Sequence, residues 1–166
     1  MMNFLRTNKY IAGLWVVIRL YLGYTWLTSG WGKIASGEFD AGGFLQGALG
    51  NPDVPGWWAT FLDTVAIPNA GLFSIAVMWG EVFIGLGLIL GIFTNLAALM
   101  GVVMNFSFLL SGTLSTNPQM AILGIFIAIA GANAGRYGLD RWVMPYLKET
   151  WKQRVRHGKT KETIAA

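Results

Sequence analysis

No cysteine occurs anywhere in the 166 residues. This excludes disulfides, thiolate zinc sites, iron–sulfur clusters and a thiol redox centre. Histidine is almost as scarce. His157 stands alone near the end of the chain, so a bis-histidine haem held between helices is excluded as well. Charge is thin too: charged residues make up 12% of the chain, half the ~25% of ordinary soluble domains. No metal and no haem are therefore expected. Any redox chemistry has to come from a bound organic molecule or a partner subunit.

What the chain does contain is apolar: 54% hydrophobic residues, with 22 glycines and 8 tryptophans. Long runs of this kind with few charges mark an integral membrane protein rather than a large soluble core. The net charge of +4 could point to nucleic acid, but its distribution does not. Seven of the twelve basic residues fall within residues 141–161, after the last apolar run. A basic tail beside a membrane serves as an orientation signal and a contact for anionic membrane lipid, so no nucleic-acid partner is expected.

The hydropathy pattern predicts an all-α, polytopic membrane protein, a four-transmembrane-helix bundle with a short amphipathic extracellular loop. Spans are expected at about residues 10–31, 70–91, 94–112 and 118–134, within a transmembrane domain of residues 1–145. Residues 146–166 form a basic cytoplasmic tail. The first apolar run is too long for a signal-peptide core and no A-x-A site follows, so it is read as a retained helix. Residues 32–68 are the longest polar connection, with turn signals at Asn51-Pro52 and Val54-Pro55-Gly56. Aromatic and apolar residues within it recur at helical spacing. Either two short amphipathic helices lie on the outer surface as a lid, or a loop rests its tryptophans at the interface. Pro118 is expected in the first helical position after an Asn117 cap. Trp142, Pro145, Tyr146 and Trp151 imply a tail that returns to the headgroup region before fraying.

Four spans put both termini on one side. The leader (Arg6, Lys9) and the tail are basic, whereas the first connection has four acids and one lysine. The positive-inside rule then places both termini in the cytoplasm of a multi-pass cell-membrane protein.

Three polar side chains interrupt the apolar runs: Arg19, Glu81 and Asn105. An ionisable group at mid-membrane is costly and should face other helices or a wet cavity. Counted from helix ends near Tyr10, Gly91 and Thr94, they lie ~14, ~15 and ~16 Å deep. On the first helix Arg19, Gly23, Trp26, Gly30 and Lys33 share a stripe; on the third, Gly101, Asn105, Phe108 and Gly112 do. The expectation is an Arg19–Glu81 pair hydrogen-bonded by Asn105. Such a trio either fixes helix register or forms a polar-headgroup or proton-relay site. Lys33 is expected to snorkel outward. Trp26, Trp31 and Trp79 could stack on a flat ligand, although packing and interface anchoring account for them equally. The glycine-rich residues 85–91 are not a nucleotide loop, because no strand precedes them.

Several of these stretches resemble the DoxX/DoxD family of small four-helix membrane proteins. They are Arg19-Leu20-Tyr21-Leu22-Gly23 with Gly30-Trp31-Gly32-Lys33-Ile34, Glu81 with the glycine-rich residues 85–94, and Gly135-Arg136-Tyr137-Gly138-Leu139-Asp140. The last departs from the family pattern at Gly138, where serine is commoner. Arg19, Lys33, Glu81, Arg136 and Asp140 match the patterned polar residues. The family includes subunits described as thiosulfate:quinone oxidoreductases and relatives linked to quinone or thiol stress. The resemblance therefore implies a four-helix bundle that moves electrons to membrane quinone. On that expectation Glu81 and Arg19 are catalytic, and Arg19, Asn105, Trp26 and Trp79 bind quinone. Lys33 meets a small sulfur reductant at the outer mouth, unless a soluble redox partner supplies the electrons. The alternatives are a non-enzymatic membrane scaffold that recruits a partner through its tail, or a small-molecule carrier. Glycine-rich faces also make a homodimer a candidate state.

Overall fold

The computed structural model describes the backbone of residues 2–165 and the side chains of residues 2–154, and every described element is helical. The tail's Arg156, Lys159 and Lys161 lie outside the described side chains. A short helix α1 (Met2–Thr7) leads into α2 (Lys9–Ser36). Asn8 starts α2 by accepting hydrogen bonds from the N–H groups of Tyr10 and Ile11, and Gly37, left-handed at φ 65°, stops it. There follow α3 (Ala41–Leu49), α4 (Gly56–Phe61), α5 (Ala70–Leu90), α6 (Thr94–Leu110), α7 (Asn117–Ala130) and α8 (Asp140–Ala165). Among the described residues, two helical runs are long and apolar enough to cross a membrane: α2 and the continuous stretch Gly56–Leu90. α6 and α7, at 17 and 14 residues, are shorter apolar helices.

The connection between α2 and α5 is folded. α3 and α4 close a small core of their own around Leu45, Ala48, Val54, Leu62 and Ala66. Pro68 lies inside a continuous helical path rather than at the start of a new helix. A wide π turn (Leu62–Ala66) and a tight 3-10 turn (Ile67–Asn69) carry the chain from α4 into α5. Proline lacks the N–H that an α-turn would use there, and the altered turns absorb that loss without a break. The tail also departs from expectation, because α8 runs on from Asp140 with Pro145 inside it rather than fraying.

The main core lies between α2, α5, α6 and α7, around Trp15, Leu22, Trp26, Ile84, Leu88 and Ile127. α2 and α5 run antiparallel and almost touch. A Cβ on Gly85 would stand 2.6 Å from Leu27 N and 2.8 Å from Gly23 O, and one on Gly30 would stand 2.8 Å from Val82 N. Only glycine permits this approach. The outward faces are also apolar: Leu14, Val17, Leu72, Ile75, Phe83 and Leu96 are all exposed. A bundle apolar on both its inner and outer faces suits a lipid surround.

At the basic end, residues 135–140 lie over the α5–α6 turn. The Asp140 carboxylate accepts hydrogen bonds from Phe93 N (2.7 Å) and Thr94 N (2.9 Å), capping α6 from 46 residues away. Its own N–H donates to Gly91 O. Arg136 and Tyr137 donate to the carbonyls of Thr7 and Lys9, tying α1 and α2 to the same corner. Asp140→Ala removes the cap, so a stability loss of ~0.5–2 kcal/mol is expected in thermal unfolding in detergent. An unchanged midpoint would show that α6 starts without this carboxylate.

Candidate functional site

The contact at Gly30 is what builds the site. Because α2 comes this close to α5, the side chains flanking Gly30 reach the carboxylate of Glu81, the midpoint of α5. Lys33 Nζ lies 2.7 Å from Glu81 Oε2, Ser29 Oγ donates to the same oxygen at 3.0 Å, and Lys33 also bonds Ser29 Oγ at 2.8 Å. Ser29 and Lys33 are one helical turn apart, so a single face presents both. Among the described residues this is the only salt bridge, with the Glu81 side chain 2% exposed and that of Lys33 24% exposed. Both bonds fall on Oε2, and among the described residues no donor reaches Oε1.

The triad stands on the wall of a cavity of about 930 Å³. Trp26, Phe44, Trp58, Phe61, Phe73 and Phe108 line it, with Met100, Met104 and Met120 between them. Phe44 meets Phe108 edge-on at 6.0 Å, and Trp58 Nε1 donates to Ser111 Oγ at 2.9 Å, fastening α4 to α6. Toward α6 the cavity is bordered by the outward-facing Phe83 and Met100; toward α7 it is bordered by Thr25, Thr116 and Asn117. One rim thus faces the apolar exterior and another is polar. A large, mostly apolar cavity with a few convergent polar groups is the usual form of a small-molecule site.

The expected Arg19–Glu81 pair does not form. Gly30, not Arg19, lies against Glu81, and Arg19 is eleven residues away along α2, about 16 Å. Arg19 is buried instead against the α5–α6 turn, where a Cβ on Gly91 would collide with its Nη1. It donates to Ala134 O at 3.2 Å, at the carbonyl-rich ends of α5 and α7, where the helix dipoles favour a cation. Gly138 packs against the same corner, with the site of its missing Cβ 2.7 Å from Gly91 Cα. Any Cβ there would stand 2.6 Å from Arg19 Nη1, so a serine would not fit without a shift.

Asn105 does lie near the level of Glu81, since its neighbour Met104 packs on Gly80. It is buried but does not line the cavity, and among the described residues neither amide atom has a hydrogen-bond partner. Trp26 lines the cavity. Trp79 does not: it is 45% exposed and stacks on Phe83 at 5.9 Å. Trp31 also faces outward. Lys33 turns inward to Glu81 instead of snorkelling, because a buried carboxylate offers more than the water beyond. Asn117 forms the first residue of α7 and donates to Thr113 O, and Thr116 is the cap. Ser29 and the α3–α4 aromatics were not anticipated as site residues. Ser29 had one sequence signal, its position four residues before Lys33.

A family model described as DoxX matches residues 14–112, more than half of the chain. The chain belongs to the DoxX family. It is accordingly a membrane protein, in keeping with its two membrane-length helices. The matched stretch of this DoxX protein holds Ser29, Lys33, Glu81 and nearly the whole cavity wall; the Arg136–Asp140 corner lies outside it. No curated protein and no solved structure matches the chain.

Proposed function

We propose that this DoxX protein is a quinone-linked oxidoreductase, or the membrane subunit of one. In this role it passes electrons from a small sulfur reductant or a partner protein to membrane quinone. α2, α5, α6 and α7 are the four spans of a cell-membrane bundle, with residues 32–68 outside and both termini cytoplasmic. The observation that carries the proposal is an ion-paired carboxylate on the wall of a large aromatic cavity inside an apolar bundle.

The residues fit a quinone. About 930 Å³ holds a ring and part of a prenyl tail, and flat aromatic walls suit a flat ring. A bound quinone supplies the redox chemistry itself, taking up two electrons and two protons on full reduction. The chain's share is binding and proton handling. Trp26 and Phe108 provide stacking faces. Ser29 fixes the Glu81 rotamer through Oε2, and Oε1 is the oxygen from which the carboxyl exchanges a proton. Lys33 keeps the unprotonated carboxylate from being a lone buried charge, and its own charge is exposed each time Glu81 takes up a proton. Lys33 therefore serves the pair more than it serves an anionic reductant. That reductant approaches along the polar rim at Thr25, Thr116 and Asn117.

The test uses full-length protein in nanodiscs, a short-chain quinone read by indole fluorescence, and thiosulfate-driven quinone reduction. The wild type is expected to bind and reduce the quinone. Glu81→Gln should bind within a few fold of wild type yet reduce ~100-fold more slowly. Absence of quinone binding by the wild type, or a full rate in Glu81→Gln, overturns the proposal and leaves the scaffold or the carrier.

A further inference from the structure

A second hollow, of about 760 Å³, lies at the basic end of the bundle, away from Glu81. Lys9, Arg136, Arg141 and Lys148 line it, and Asp140 is its one carboxylate. That acid is already engaged, since both its oxygens accept hydrogen bonds from the start of α6. Among the described residues none of the four cations is in a salt bridge. Arg136 spends one N–H on Thr7 O, and Lys9 and Arg141 lie over the rings of Tyr10 and Trp142, at 5.1 and 5.9 Å.

The cations come from three separate places: the first residue of α2, the turn after α7, and α8. Within α8, Arg141, Met144, Pro145 and Lys148 all face the hollow, a single helical stripe. The fold gathers them; a merely basic tail would not. Beside this stripe α8 exposes Trp142 and Tyr146, at 64% and 71%, residues that favour the headgroup level of a bilayer.

We propose that this hollow binds the phosphate headgroup of an anionic membrane phospholipid. Four cations facing one committed carboxylate complement a phosphate. The flanking aromatics and the apolar Met144 and Pro145 suit its glycerol and first acyl carbons, which a free anion lacks. The proposal is independent of what the Glu81 cavity holds.

The test is retention of lipid by the full chain from mixed micelles of phosphatidylglycerol and phosphatidylcholine, read by native mass spectrometry, with inorganic phosphate as a soluble competitor. Phosphatidylglycerol should be retained in preference. Lys9→Gln and Lys148→Gln should each lower that preference about fivefold, while Lys152→Gln, outside the hollow, leaves it unchanged. Both lysines are surface residues, so the variants keep the fold. Equal retention of the two lipids overturns the proposal. An equal loss in Lys152→Gln overturns it in favour of diffuse attraction to the tail. Displacement of the lipid by millimolar phosphate overturns it in favour of a soluble-anion site.

Discussion

Lys33→Met will lower the stability of the folded protein by ~3–5 kcal/mol, the cost of leaving a buried charge without its partner. The stranded group is Glu81, whose side chain is 2% exposed and keeps only Ser29 as a donor. Changing both residues, Lys33→Met with Glu81→Met, should recover most of that loss, because neither charge of the pair is then left stranded and the cavity wall is already apolar. Thermal unfolding of the two single variants and the double variant in one detergent forms a double-mutant cycle that isolates the pair. A Lys33→Met midpoint equal to wild type would mean that the carboxylate does not depend on this ammonium. The double variant also separates structure from activity. If the pair handles protons, a protein of restored stability will still not reduce quinone.

Gly85→Ala will destabilise the bundle by ~1–3 kcal/mol, although alanine is the better helix former. The added methyl would meet Leu27 N at 2.6 Å and Gly23 O at 2.8 Å. Both are backbone atoms, so no rotamer change relieves the contact and α2 has to move off α5. The same movement pulls Ser29 and Lys33 away from Glu81, so on the proposed function slower quinone reduction should accompany the fall in midpoint. Gly71→Ala is the control, since nothing lies within 4 Å of its Cβ position. There alanine's helix preference of ~0.5–1 kcal/mol should show as a small gain. If Gly71→Ala lost as much as Gly85→Ala, close packing would not be the cause.

The glycines that make this contact were legible in the sequence. Gly23 and Gly30 fall on one stripe of the first apolar run, with Arg19, Trp26 and Lys33, and that stripe proved to face the interior. The helical segments were legible as well from their apolar runs, with Gly91 marking a stop, although α2 runs on past the expected end at residue 31 to Ser36, where Gly37 stops it. The continuation of α4 into α5 was not. Pro68 reads as a boundary in any local window, and only the packing of Leu62 and Ala66 beneath α3 holds the altered turns in place.

The sequence alone determined that the chain is helical and lipid-facing, and that a carboxylate lies in the middle of an apolar helix and must have a partner. Tertiary structure decided which partner. Depths counted along each helix assumed that Tyr10, Gly91 and Thr94 stand at one level. Instead the α5–α6 turn ends inside the bundle, against Arg19 and beneath residues 135–140. Glu81 and Asn105 were both counted from that turn and stay near one level, while Arg19, counted from Tyr10, falls about 16 Å away. Register between helices is a property of the surfaces in contact, here Gly23 on Gly85 and Gly30 on Val82. No single helix carries it in its own sequence.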